Sequence, residues 1–559
     1  MRITKLLSRL FLPAFAVAAL AALADPLAAQ TFPTDDAVIK RMWRLGMDSS
    51  QTYKLAQQLL DSIGPRLQGT PNQKKAQQWL VDTYKGWGVE AKNEQFGTWR
   101  GWRRGYSHID LIEPRQRTLT GTMLGYSPGT GKKDIDAEVV VLPRFADSTQ
   151  FVQWLPKAKG KIVMVSAALP TCRPADDWDR NATKESAARM DTLKRAAQAE
   201  WANGRDARGN STGVRGTGLS LALGGGELAV RLEEGGVAGV ISSRPKNSRG
   251  AMEVFETYTK KVPTIALDCE DYGLVFRMAE NNQHPKIRMN LDAELLGEVP
   301  VFNTIAMIKG QEKPDEYVML SAHFDSWDAS SGATDNGTGS LMALEAMRIL
   351  RTAYPKPKRT IIVGHWSGEE IGLVGSKAFA KDHPEIVNKL QAIFNQDNGT
   401  GRVQRISGGG LVDSPNHIVP WLNKLPAEFK SQLAFAGPGS PSGGGTDDAS
   451  FSCSGAPSFG LGGAGWDYGT YTWHTDRDTF DKVVFDDLKG NATIAAMLAY
   501  LASEDPTFVS RERVDLAKAA AERAAAAGAG AGAGRGGAPA SFTWPVCSDA
   551  ARSTNPRLK

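Results

Sequence analysis

The chain reads as an α/β protein built on a doubly wound, mostly parallel sheet, with a β-rich unit inserted into it. Three observations carry that expectation. From Val301 onward, apolar strand-like runs alternate with amphipathic helical runs, the pattern left by parallel strands joined through crossover helices. Between about Thr118 and Leu296 the texture changes to short β runs separated by turns. The carboxylate and imidazole side chains suited to a metal fall where apolar runs end, the edge at which such sheets bind ligands.

At 559 residues, 41% hydrophobic and 23% charged, the chain is long enough for two or more domains with ample core. Its formal net charge of +5 calls for neither nucleic acid nor an anionic membrane as partner. Residues 1–29 have a basic start, an apolar run from Leu10 to Leu23, and two small-residue endings, at Ala24 and at Ala29 before Gln30. That is the pattern of a secretory signal peptide, and it predicts an exported protein, periplasmic or extracellular. No later stretch is apolar enough to cross a bilayer. Cys172, Cys269, Cys453 and Cys547 are too widely spaced for a metal knuckle; an exported chain allows one or two bridges without requiring them, so free or incidentally paired structural cysteines are the expectation.

Residues 30–117 form the first part of the α/β unit. Leu55, Leu59 and Leu60, and after the turn IGPRLQGTPNQ the residues Ala76, Trp79, Leu80 and Tyr84, recur at helical spacing, with Gly86 and Gly88 closing the second helix. Residues 118–297 make the insert. AEVVVLP, GKIVMVS, VAGVISS and VPTIALD are its strands, ELAVRLEEGG is a helix, and the polar stretch from Arg173 to Arg215 is a mobile excursion. Residues 298–505 return to alternating strand and helix: EYVMLSAHF, SLMALEAMRILR, RTIIVGHW, a helical segment around Lys377 to Leu390, then QAIFNQD. Residues 506–559 hold a charged helical segment and a Gly/Ala tract that cannot bury a core, and read as a flexible tail.

Four segments of the third part carry chemistry: SAHFDSWDASSGATDNGTG, GHWSGEEIGLVGS, FNQDNGTG and YTWHTDRDTFD. His323 and Asp325 sit two apart at a strand end, which points both to one side, so the carboxylate of Asp325 can orient the His323 imidazole. Asp335 lies in a glycine-rich turn ahead of a helix, where its two oxygens can bridge two cations about 3.5 to 4 Å apart. Glu369 and Glu370 are neighbours at the end of an apolar strand and are expected to project oppositely, one toward metal and one toward water; side by side they repel unless a cation compensates. Asp397 ends an apolar run, and His474 lies among Tyr468, Tyr471 and Trp473. Two His and three Asp/Glu offer only nitrogen and oxygen donors, a set that suits zinc, with cobalt or manganese as alternatives. The other five histidines lack carboxylate company and default to structural or surface roles. The sequons at Asn336 and Asn398 adjoin these residues and are read as turns rather than glycan sites.

Together the four segments resemble the co-catalytic zinc exopeptidases, the family of bacterial leucyl aminopeptidases, aminopeptidase Y, carboxypeptidase Q and glutamate carboxypeptidase. The likeness runs from about Ser49 to Glu504, and HFDSWD is most similar to the carboxypeptidase Q branch. The insert, with GKIVMVS, GGVAGVISS and VPTIALD, resembles a protease-associated domain. Carried over, the resemblance implies two zinc ions, one held by His323 and Asp397, the other by Glu370 and His474, with Asp335 between them. It makes Glu369 the general base. Many relatives carry a Tyr before the last His as partner for the oxyanion; Trp473 stands there in this chain, and Tyr468 and Tyr471 are the nearby phenols. Asp447 and Asp448, in GGGTDDASF, match the region where relatives contact the substrate terminus, although a turn-capping pair reads equally well.

The function expected from this resemblance is zinc-dependent exopeptidase activity on peptides or dipeptides, as an aminopeptidase, with a carboxypeptidase Q-like carboxypeptidase or dipeptidase as the alternative. Some relatives have lost metal ligands and serve as receptors, but here every such position is filled. A glutaminyl cyclase is disfavoured by the insert. Side-chain preference and oligomeric state are left open.

Overall fold

The computed structural model describes residues 35–145, 148–201, 227–246, 249–526 and 543–554. The proposed signal peptide, residues 202–226, which include the end of the polar excursion, and the Gly/Ala tract 527–542 lie outside the described residues.

Four parallel strands form the heart of a mixed α/β structure: Ser458–Gly463, Leu390–Asn395, Lys313–His323 and Arg359–Trp366, side by side in that order. Burial on both faces explains their unbroken apolar runs. Alternation then sorts the side chains: Val318, Leu320, Ile361, Val363, Ala392 and Phe394 enter one core, while Met319, Ile362, Trp366 and Ile393 enter another. The first core is closed by helices Ala37–Trp43, Thr338–Ala353 and Phe485–Glu504. The second is closed by helix Val374–Asp382, through Phe379, and by Phe451. The sheet is less uniformly parallel than expected, because Lys286–Ile308 and Val403–Ser407 flank the four strands antiparallel.

Those four strands run the same way, so their carboxyl ends share one edge, and the chain leaves that edge into the loops that carry the candidate site. Among the described residues, no helix is long and apolar enough to cross a membrane.

The insert has cores of its own, one around Met164, Ile241, Ile265 and Met289, another around Phe151, Val163 and Val240. Its strands Ile135–Val141, Ile162–Met164, Gly239–Ser242 and Thr264–Leu267 are mutually parallel. They join the four central parallel strands through a long antiparallel ribbon, Glu90–Glu113 against Lys286–Ile308. Position 297 therefore falls inside a continuous strand, at Gly297, whose φ of +73° marks a kink rather than a linker.

Two local expectations change, and the cysteines take the paired option that the sequence left open. Residues 175–201 of the polar excursion are helical, in Ala175–Asn181 and Lys184–Trp201, and Asp177 is buried and paired with Arg249. All four cysteines are bridged, Cys172 to Cys269 and Cys453 to Cys547. The second bridge pins residues 543–554, which are docked rather than free: Trp544 donates to the Ser452 carbonyl at 2.9 Å, and Arg552 pairs with Asp382 at 2.6 Å.

Candidate metal centre

His323 closes its strand, and the chain then runs through a loop, 324–332, into the turn Ala333–Gly337 and the helix Thr338–Ala353. Two arginines hold that loop. Fully buried Arg66 donates to the carbonyls of Phe324 (2.8 Å), Ser331 (2.7 Å) and Gly332 (2.9 Å). Arg104 grips Asp328 with two bonds of 2.6 and 3.0 Å. Burial lowers Arg66 to about 10, against the pull of Asp478, Asp325, Asp335 and Glu370, so a positive charge sits under an acidic floor.

The five candidate ligands converge. His323 Nε2 lies 3.3 Å from Asp335 Oδ1 and 3.4 Å from Asp397 Oδ1. His474 Nε2 lies 3.2 Å from Asp335 Oδ2 and 2.9 Å from Glu370 Oε2. These are two clusters, His323 with Asp335 and Asp397, and His474 with Asp335 and Glu370, and Asp335 belongs to both. His323 Nε2, Asp335 Oδ2, Glu370 Oε1 and Asp397 Oδ1 are buried without a hydrogen-bond partner.

The charges respond to this crowding. Against burial, Asp397 and Glu369 raise His323 well above its ordinary value, and Glu370 and Asp335 raise His474 to about 10. Against burial, the neighbouring imidazoles of His323 and His474 hold Asp335 below the usual carboxylate range. Burial pushes Glu370 up to about 7 and Glu369 well above its ordinary value, the latter helped by Asp397, Glu370 and Asp447 and opposed by His323. Burial and the crowding of carboxylates around two imidazoles thus push these groups in opposite directions.

Asp325 acts differently from the expectation. The His323 Nδ1 partner is the Asp325 backbone carbonyl at 3.0 Å, with the carboxylate 3.7 Å away. The carboxylate instead accepts the backbone N–H groups of Glu369 (3.2 Å) and Glu370 (3.4 Å). Nor do the two glutamates diverge by strand alternation. Their strand ends at Trp366, Gly368 turns the chain with a φ of +71°, and a turn held by Asp325 aims each side chain.

Asp447 is buried with neither carboxylate oxygen bonded, and burial lifts it to about 8; Asp448 is likewise raised by burial, to about 6. Trp473 stacks on the His474 ring at 3.7 Å. Tyr471 turns outward beneath Lys482, whose ammonium lies 5.5 Å from the ring, and lines a surface groove with Asp176, Arg180 and Arg249. Tyr468 is the inward phenol. Its ring packs on Gly399, where a methyl group would lie 2.9 Å away, and burial followed by the charges of Asp335, Asp397 and Glu370 raises its hydroxyl well above the ordinary value.

Sequence reasoning missed three supporting residues. Besides Arg66, Asp478 accepts from the N–H groups of Thr334 (2.7 Å) and Asp335 (3.0 Å). Gln68 is buried against Gly368 with neither amide atom bonded. The only signal for Asp478 is its place four residues after His474 in HTDRD. Of the remaining histidines, His365 is buried between Tyr84 (2.7 Å) and Ser340 (3.3 Å), and His417 sits between Asp413 and Asp505.

Residues 303–500 match the sequence profile of peptidase family M28. Over 355 residues the chain is 27% identical to carboxypeptidase Q of Bos taurus, a match covering 64% of this chain and 66% of the relative. These matches support a relationship to the co-catalytic zinc exopeptidases, carried by residues 303–500. Solved structures share the M28 fold. A peptidase M28 precursor from Shewanella amazonensis SB2B superposes with a TM-score of 0.60 at 24% identity, covering 85% of this chain and 97% of that one. A zinc aminopeptidase from Bacillus subtilis does so with a TM-score of 0.52 at 18% identity, covering 83% and 97%. The M28 match begins at Asn303, so all five converging side chains lie inside it and the insert lies outside it.

Proposed function

We propose that this M28 peptidase is an exported di-zinc exopeptidase that removes residues from the amino end of peptides. The observation that carries the reading is the set of four buried, unbonded donor atoms on His323, Asp335, Glu370 and Asp397, arranged as two clusters around a shared Asp335. Such atoms are costly to bury unless a cation completes them. The donor set of nitrogen and carboxylate oxygen fits zinc, and two dications would supply the positive charge that the raised imidazoles now provide. His323 and Asp397 would hold one ion, Glu370 and His474 the other, with Asp335 between. When bound, zinc supplies Lewis acidity toward the scissile carbonyl and the attacking water.

The chain's own groups do the rest. Glu369, raised by burial, takes a proton from the attacking water and returns it to the leaving nitrogen. Asp325 aims Glu369 through the backbone bond already described. The Tyr468 hydroxyl donates to the oxygen of the former carbonyl as negative charge gathers there.

Amino-end specificity is supported by the charge left over. Asp447 is an unbonded buried carboxylate close enough to Glu369 to raise it, and suits a protonated amine. The cations beside Phe255 and Trp473 are paired, Arg244 and Lys246 both with Glu253 (2.9 and 2.6 Å). A carboxypeptidase Q-like action is the second reading, favoured by the sequence relative. Export is supported by the two disulfides and by the sequence of residues 1–29, and the insert is read as a protease-associated domain.

The test is amino-acid release from matched peptides blocked at one end or the other. The carboxyl-blocked peptide is expected to be cleaved and the amino-blocked one to resist, with activity lost on chelation and restored by zinc. Rapid cleavage of the amino-blocked peptide overturns the amino-end assignment, and undiminished activity after complete zinc removal overturns the metal reading.

A further inference from the structure

His323 and His474 are oriented by different means. The Nδ1 of His323 has a carbonyl partner at 3.0 Å, the usual way a metal-binding imidazole is fixed. The Nδ1 of His474 is buried and has no hydrogen-bond partner, and the residue adopts a φ of +60°, a left-handed conformation that a side-chain-bearing residue keeps only when its surroundings enforce it.

What surrounds it is aromatic, and part of it comes from the insert. Phe255 meets the His474 ring edge-on, with centroids 5.1 Å apart and planes at 85°. Trp327, from the loop after His323, lies 6.1 Å from His474 and 5.3 Å from Phe255. Arg244 covers Phe255 at 4.3 Å. The backbone is tied in the same place. Val254 N–H donates to the His474 carbonyl at 2.9 Å, Met252 N–H to the Asp476 carboxylate at 3.0 Å, and Asp476 N–H to the Met252 carbonyl at 3.2 Å. Glu253 and Thr475 form a β-bridge.

We propose that the insert segment Met252–Phe255 is a positioning element for His474, so that the cation site of His474, Glu370 and Asp335 is completed only when the insert is docked. Ring packing and three backbone bonds replace the absent Nδ1 partner: they hold the imidazole plane and the strained backbone that presents Nε2 to Asp335 and Glu370. The His323 site has its own carbonyl and needs nothing from the insert. The insert thus acts on one of two adjacent cation positions and leaves the other alone. This inference rests on the di-zinc reading above.

The experiment is zinc stoichiometry and competitive zinc affinity on the full chain, with thermal unfolding of the zinc-free protein alongside. Wild type is expected to bind two ions. Phe255→Ala is expected to keep one at wild-type affinity and to weaken the other at least about tenfold, with Phe255→Leu recovering part of the loss. Asp476→Ala, which releases Met252 from the other side, is expected to weaken the same ion, and it carries the test if Phe255→Ala does not fold. A folded Phe255→Ala, or in its stead Asp476→Ala, that binds both ions as tightly as wild type overturns the inference, as does equal weakening of both ions. Wild type binding fewer than two ions overturns the di-zinc reading itself.

Discussion

Asp478 accepts the backbone N–H of Asp335 at 3.0 Å, across 143 residues of chain, and takes Thr334 N–H at 2.7 Å with its other oxygen. The carboxylate shared by both ligand clusters is therefore set by a second carboxylate lying just beyond His474. Asp478→Ala should lower zinc affinity and activity by about 10- to 100-fold, the usual cost of losing a residue that orients a ligand. Metal titration of the purified variant checks this, and wild-type affinity would refute it.

Glu369, the proposed proton carrier, is not among the atoms clustered for a cation. Glu369→Gln should lower kcat by about 10²- to 10⁴-fold while zinc content stays at the wild-type level. A variant that turns over normally would remove Glu369 from the mechanism.

The ring of Tyr468 rests on Gly399, two residues past Asp397. Tyr468→Phe preserves that packing and deletes only the hydroxyl, so kcat should fall about 10²- to 10³-fold with KM nearly constant. Steady-state kinetics decides; an unchanged kcat would leave the oxyanion without this donor.

Burial depresses His365 to about 3, whereas the unfolded chain takes up the proton near an ordinary value of about 6.5. The folded state binds fewer protons in between, so this residue's contribution is complete above about pH 6.5. It is lost as the pH falls toward about 3, at up to about 1.4 kcal/mol per pH unit. His365→Gln keeps a polar partner for Tyr84 and should give a flatter dependence of stability on pH over that window. Urea unfolding at several pH values compares the slopes, and identical slopes would show that His365 is not responsible.

Cys453 ends the short helix Ala449–Ser452, just beyond Asp447 and Asp448, and is bridged to Cys547 over 94 residues. Cys547→Ser should cost about 2 to 4 kcal/mol of stability, mainly by freeing the unfolded chain, and should raise KM as the Asp447 loop loosens. Unchanged thermal unfolding would show that the remaining contacts of residues 543–554 suffice.

The candidate ligands were legible because each stands at a sequence-visible break: His323 ending an apolar strand, Asp335 in a glycine-rich turn, the glutamate pair after GHWSG, Asp397 after AIFNQ. Asp325 was legible as a partner but not in its main bond, since the strand rule says nothing about a backbone that has left the strand at Gly368. Arg66 and Asp478 escaped notice because they bond to main-chain groups, which carry no residue signature. Cysteine pairing was equally hidden, since spacing alone does not say which thiols meet.

By itself the sequence determined the alternation that makes a parallel sheet buried on both faces, and the kinds of donor atom its loops present, because periodicity and side-chain chemistry are local properties. Only the tertiary structure decided that Asp335 lies between the two imidazoles, that Tyr468 rather than Tyr471 turns inward, and that the insert reaches His474. Those are distances between groups remote along the chain, set by how packed elements close on one another, and no local pattern encodes them.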